Sequence, residues 1–241
     1  MKIGGATVAD NIERAVKSGD VIQNEDGTLE LSAKNADEHI ERSAGNWRFV
    51  KYGQPLGCDF LMYFMFYHAY AEGAVPYGCR SCYKVKVMPR TLRELVAAWE
   101  IAKNIDCLSK WGIDLDNRLS QNIYGGYFYV SSLDMARAVY KIARDAFVDD
   151  PKLGPEVPMT IKRGCSEYEA KLGPSDRYEF SPELAELEAY LKSRFQRRRV
   201  KRLVSRPLVN WIDLAFRIGD DTYLDFTDGK RLHPAMKTYD P

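Results

Sequence analysis

A chain of 241 residues, 45% of them hydrophobic, can bury one good core and needs no disulfide staple to fold. A net charge of +1 excludes any global electrostatic pull toward nucleic acid, membrane or acidic ligands, so such a preference has to be local. The cysteine count of five is odd, and Met1 to Asp20 is polar and helix-like rather than a leader. A disulfide framework is therefore excluded in favour of metal ligation, redox chemistry or plain burial, and a cytoplasmic location is expected.

In chain order, helices are expected at Thr7 to Lys17, Asp37 to Val50 and Cys58 to Ala71, with a turn at Asp26-Gly27. The last helix, CDFLMYFMFYHAYA, is too short for a bilayer, which takes about 20 apolar residues, and suits a core or partner-facing position. Tyr83 to Val87 alternates as a half-buried strand that Pro89 ends. Thr91 and Glu94 have capping-box spacing, and Leu92, Leu95, Val96, Trp99, Ala102 and Ile105 make one helical stripe, predicting a helix over Thr91 to Ile105.

Trp111 to Leu115 and Gly126 to Val130 read as strands. Ser131 and Ser132 can cap a second helix carrying Leu133, Ala136, Val139, Tyr140, Ala143 and Phe147, and Pro158 to Gly164 reads as a fourth strand. The order β-α-β-β-α-β predicts an α/β (α+β) chain with a ferredoxin-like core, a term for a fold from which function cannot be read. Beyond it, a helix from Ser181-Pro182 to near Pro207 is expected, then a hairpin with Ala215 to Ile218 and Thr222 to Phe226 flanking Gly219-Asp220-Asp221. Residues 1–78 are thus a helical extension, 79–170 the core with its cysteine site, and 171–241 a basic helix and hairpin on the same compact unit.

That topology turns scattered cysteines into a site. Cys79 and Cys82 enter the first strand, Cys107 follows the first helix, and Cys165 leaves the fourth strand, so all four are expected at one pole of the sheet. The start of the second helix lies at the same pole, where its N-H groups favour thiolates, and Tyr77, Tyr83 and Tyr129 can screen the site. Cys58 is the spare, an alternate ligand in place of Cys107 or Cys165. Structural zinc usually takes two close cysteine pairs, whereas a 4Fe-4S cluster is readily held by one pair plus distant single cysteines. An iron-sulfur protein serving electron transfer or a cluster-dependent step is therefore expected, with zinc as the alternative metal and a redox dithiol as a third reading.

The strongest charge run is RFQRRRVKRLVSR, with Arg194, Arg197, Arg198, Arg199, Lys201 and Arg202. The helix dipole accounts for three or four of these cations; the excess points to a contact surface for a protein partner or nucleic acid. Such a surface fits the alternative function, a zinc-stabilised binding protein. The three histidines are scattered and imply no triad, although His68 on the aromatic helix can approach the cysteine pole. The glycines lack a phosphate-loop pattern, and Tyr124 and Tyr127 to Tyr129 put at least one face of their strand in the core.

Overall fold

The computed structural model describes residues 1–32, 46–51, 57–114, 122–197 and 206–233. A two-strand ribbon, β1 (Lys2–Ile3) and β2 (Ala6–Thr7), runs into helix α1 (Val8–Lys17), and the hairpin β3 (Val21–Gln23) and β4 (Leu29–Leu31) follows. Thr7 and Asp10 close a capping box at the start of α1. Next come β5 (Trp47–Val50) and α2 (Asp59–Ala69), a helix of π winding. The strand-rich middle holds β6 (Tyr83–Val87), α3 (Leu92–Ala102), β7 (Ser109–Ile113), β8 (Tyr124–Val130), α4 (Leu133–Val148), β9 (Met159–Arg163) and the short α5 (Ser166–Leu172). Then follow α6 (Pro182–Arg194), α7 (Pro207–Ile218) and a 3-10 turn at Asp221–Phe226.

The sheet runs β5-β7-β8-β6-β9, antiparallel throughout. The connection from β6 through α3 to β7 leaves a gap that β8 fills, and the connection from β8 through α4 to β9 straddles β6. Both helices consequently lie on one face, in contact with each other and with β8. Side chains alternate across that sheet. Val85, Val87, Trp111, Ile113 and Phe128 point at α3 and α4 and are buried with Leu92, Leu95, Ala143 and Phe147. Each such aliphatic or aromatic side chain contributes roughly 1.5–3 kcal/mol over its exposed state. Glycine at 126 is a packing requirement, since a Cβ there would stand 2.1 Å from the Trp111 ring.

A second core joins α1, the β3-β4 hairpin, α2 and α6 through Val8, Val21, Leu29, Phe64, Met65, Leu184 and Leu191. A third and smaller one packs Met62, Phe66 and Val75 around Cys79 and Tyr168. Helix α2 therefore faces two cores at once, which explains why it is apolar nearly all round. No helix among the described residues is long and apolar enough to cross a membrane.

Three expected elements differ from the sequence reading, and the expected helical extension over 1–78 holds, among its described residues, five strands, β1 to β5, beside α1 and α2. The expected helix over 37–50 falls partly outside the described residues, and its end is strand β5, because the aromatic and β-branched run at Trp47–Val50 pairs with the edge of β7. The helix beginning at Ser181-Pro182 stops at Arg194. Phe195 turns extended and bridges Leu29, with its ring against Phe60 and Phe64.

The expected hairpin near the C-terminus is instead the end of α7 and a 3-10 turn. Gly219, in the left-handed conformation, closes α7 and Asp220 caps the turn. The Asp220 carboxylate also accepts from Leu92 N-H at 2.6 Å and Tyr124 O-H at 2.8 Å, fastening the C-terminal elements to the start of α3. Burial pushes the Asp220 carboxyl up, but hydrogen bonds from Thr222, Leu92 and Tyr124 outweigh it and hold the group below the usual carboxylate range.

Candidate functional site

Four thiols from three loops meet on the sheet face opposite α3 and α4. Cys79 and Cys82 come from the turn before β6, Cys165 from the loop after β9 and Cys58 from the start of α2, and all four belong to the same small core. Gly57 and Gly164, each at positive φ (66° and 68°), precede Cys58 and Cys165. At those positions an L side chain would strain the turn that delivers the thiol.

Backbone hydrogen bonds fix the loops. Cys82 N-H donates to Cys79 O at 3.0 Å, Gly164 N-H to Cys82 O at 2.9 Å, and Tyr168 N-H to Cys165 O at 3.1 Å. Arg163 crosses between loops, its Nη2 donating to Arg80 O at 2.7 Å. The carboxylate of Glu188, reaching in from α6, accepts from Tyr77 N-H, from Gly78 N-H at 2.9 Å and from Tyr70 O-H at 2.9 Å. Burial raises the Glu188 pKa, opposed by those three donors.

Burial also sets the state of the thiols. Desolvation, aided by neighbouring Cys165 and Cys82, pushes Cys58 up to about 12. Cys79 is raised as well, by burial first, with Cys165, Cys82 and Cys58 adding and the Tyr168 hydroxyl, 3.4 Å from its sulfur, opposing. Cys82 is raised by burial, with Lys84 opposing. Every pair among the four is thus electrostatically coupled, as thiols sharing one low-dielectric pocket must be.

Two lysines supply positive charge there. Lys84 Nζ donates to Cys165 Sγ at 3.1 Å. Burial works against its ammonium, but Cys165, Tyr129 and Cys82 together outweigh that and hold its pKa well above the usual value. Lys110, on β7, is lowered by burial and by Lys84, while Cys165 and Cys58 favour its charge. Tyr63, Tyr129 and Tyr168, all raised mainly by burial, line the pocket as neutral phenols.

Cys107 is not in this group. It packs in the helix-side core, its Sγ 3.5 Å from Leu108 O and from Tyr129 O, and its electrostatic neighbours are Asp106 and Lys51. The expected pole is common to all five thiols' elements, but the sheet divides it: Cys107 lies on the helix side and Cys58 joins Cys79, Cys82 and Cys165 on the other. The same division removes the start of α4 from the thiols, where Ser132 accepts from Met135 N-H. Of the expected screening tyrosines, Tyr129 faces the thiols, whereas Tyr77 packs in the second core and Tyr83 on the helix side. His68, lowered by burial, has Asp20 as its charged neighbour rather than a thiol.

Among the described residues, no group of three or more histidine, cysteine, aspartate or glutamate side chains is arranged to hold a metal ion. All five cysteines are free thiols. In the basic run, the Arg194 guanidinium lies 5.0 Å from the Tyr190 ring centre and Arg197 pairs with Asp59 at 2.7 Å. Arg198, Arg199, Lys201 and Arg202 lie outside the described residues. No protein-family model matches the chain, and no curated protein and no solved structure matches it either.

Sequence reasoning missed Lys84, Lys110, Tyr168 and Glu188. Lys84 had a readable signal, since it alternates with apolar neighbours on its strand and so faces away from the helix-side core, whereas Lys110 lay just before the strand expected at Trp111 to Leu115. Glu188 had none, because its partners lie more than a hundred residues earlier.

Proposed function

We propose that Cys58, Cys79, Cys82 and Cys165 hold a 4Fe-4S cluster and that the protein works in electron transfer or a cluster-dependent redox step. The observation that carries this reading is the convergence of four neighbouring thiols, from three loops, beside the buried Lys84 and the half-buried Lys110. The donor set supports the reading by its composition, since one close pair plus two single cysteines is a ligand pattern that iron-sulfur clusters use. Four thiolates around a dipositive core leave a net charge of about −2, which Lys84 and Lys110 are placed to offset. A bound cluster supplies a one-electron couple. The chain's own groups have three tasks. The cysteines, once deprotonated, would be the ligands; Lys84 and Tyr168 would donate toward sulfur, which raises the reduction potential; Phe66, Met62, Val75 and Tyr168 exclude water.

Zinc is the second reading, because four cysteines are also a zinc ligand set. With zinc, the protein would be a metal-stabilised binding module using the basic run that starts at Arg194 for an acidic partner or nucleic acid. The single close pair favours iron. Free thiols throughout support a reducing, cytoplasmic setting. The segment β6 to β9 is read as a ferredoxin-like core, supported by its strand order β7-β8-β6-β9.

Anaerobic purification with iron, acid-labile sulfide and zinc analysis tests the reading. The expected result is brown protein with about four iron and four sulfide per chain and a paramagnetic signal on reduction. Colourless protein carrying stoichiometric zinc would contradict it.

A further inference from the structure

The sheet face that ends at the thiols continues across all five strands, and its composition is neither core nor ordinary surface. Registers place Thr160, Lys86, Tyr127, Lys110 and Phe49 in one row from β9 to β5. The row crosses four inter-strand gaps, about 19 Å. Beside it, Trp47 pairs with Gly112 and Gly112 with Gly125, so a floor of two glycines lies next to the indole. Lys110 Nζ sits 4.2 Å from the Trp47 ring centre and 5.4 Å from that of Tyr127, and Trp47 and Tyr127 lie 6.0 Å apart. Phe49 is 42% exposed on its edge strand.

The alternate residues of these strands, Val85, Val87, Trp111, Phe128 and Ile161, meet α3 and α4 on the other side. The aromatic rings of this face are therefore not needed by that core. Lysines cluster between them: Lys86 and Lys110, with Lys162 one row away. Lys162 is offset by Glu169 at 3.2 Å, and Asp114 lies near Lys86, Lys110 and Tyr127. Burial first, and then the neighbouring Lys162, opposes the charged form of Lys86. A polyanion laid across the face relieves that repulsion.

We propose that this face binds single-stranded nucleic acid, with bases stacking on Tyr127 and Trp47 and phosphates meeting Lys86, Lys110 and Lys162. Aromatic platforms interleaved with cations accept unpaired bases of any sequence, because every base has a π-face, while a duplex hides those faces in its own stack. A chain with no global positive charge needs such a local device. The site is independent of the basic run after Arg194, and it shares Lys110 with the thiol pocket.

Full-length protein is titrated into a fluorescent single-stranded RNA or DNA of about a dozen nucleotides, followed by anisotropy. Three lysine-phosphate contacts predict an affinity loss of roughly 20-fold between ~50 mM and ~200 mM salt. Tyr127→Leu, folded by circular dichroism, is expected to weaken binding about 5- to 150-fold, whereas Tyr127→Phe keeps it within about 3-fold. Lys86→Glu is a second variant, at a partly exposed position, expected to weaken binding and flatten the salt dependence. Absent binding overturns the proposal, as does binding insensitive to both Tyr127→Leu and Lys86→Glu. Equal affinity for a duplex or for heparin overturns it as well, since charge alone would then suffice. Loss on Arg198→Glu with Arg199→Glu, but not on Lys86→Glu, would move the site to the basic run. No cysteine is altered in these tests, so their failure leaves the cluster reading standing.

Discussion

The two faces of the sheet are made by the same strands, yet they hold opposite kinds of residue. Toward α3 and α4 stand Val85, Val87, Trp111 and Phe128, fully buried; toward the thiols stand Lys84, Lys86, Lys110, Tyr127 and Tyr129. One face supplies stability by removing apolar area from water, and the other holds charges and thiols that cost stability unless they are paired. Separating the two lets the chain keep a thiol pocket without thinning its main core. Substitutions on the two faces should therefore have separable effects.

The largest expected effect is on the helix side. Phe128→Ala should cost about 3–5 kcal/mol in denaturant unfolding, without altering which thiols react in the folded protein. If it changed thiol reactivity before unfolding, the faces would not be independent. Next is the fastener: Asp220→Ala strips an acceptor from Leu92 N-H and from the buried Tyr124 hydroxyl, an expected loss of about 1–3 kcal/mol.

The depressed Asp220 pKa gives that fastener a pH signature. Its contribution is fully present above the unfolded carboxyl value of about 3.9 and is lost as pH falls through the lower folded value. Asp220→Asn should therefore flatten the acid limb of the stability curve. On the thiol side, Glu188→Gln removes one of the carboxylate's two acceptor oxygens for the Tyr77 and Gly78 amides. It should cost about 1 kcal/mol and speed labelling of Cys79 by a thiol reagent. The Glu188 pKa is raised, so its ionisation lowers stability as pH climbs from about 4.3 through the folded value, and the glutamine variant should lack that decline. The smallest effect is Cys107→Ser, within about 1 kcal/mol, since serine can also donate to the carbonyls that Cys107 faces.

How far these faces were legible follows from what periodicity encodes. Alternation in Tyr83–Val87 and the helical stripes of α3 and α4 are local, so strands and helices of the middle segment were readable to within a few residues. β5 was not, because its pairing with β7 depends on Gly112, where a Cβ would stand 2.0 Å from Asn46 O, a contact across more than sixty residues. Gly219-Asp220 misled because a glycine that closes a helix and one that makes a hairpin have the same chemistry. For the thiols, element order gave the end of the sheet on which each cysteine lies but not the side. Side depends on strand parity and on loop paths, and it exchanged Cys107 for Cys58.

The most direct test of this account is the cluster content of two variants purified anaerobically beside the parent chain. Cys58→Ser is expected to lose most of its iron and sulfide, while Cys107→Ser keeps the parent's content. Retention by Cys58→Ser with loss in Cys107→Ser would contradict the thiol pocket described above.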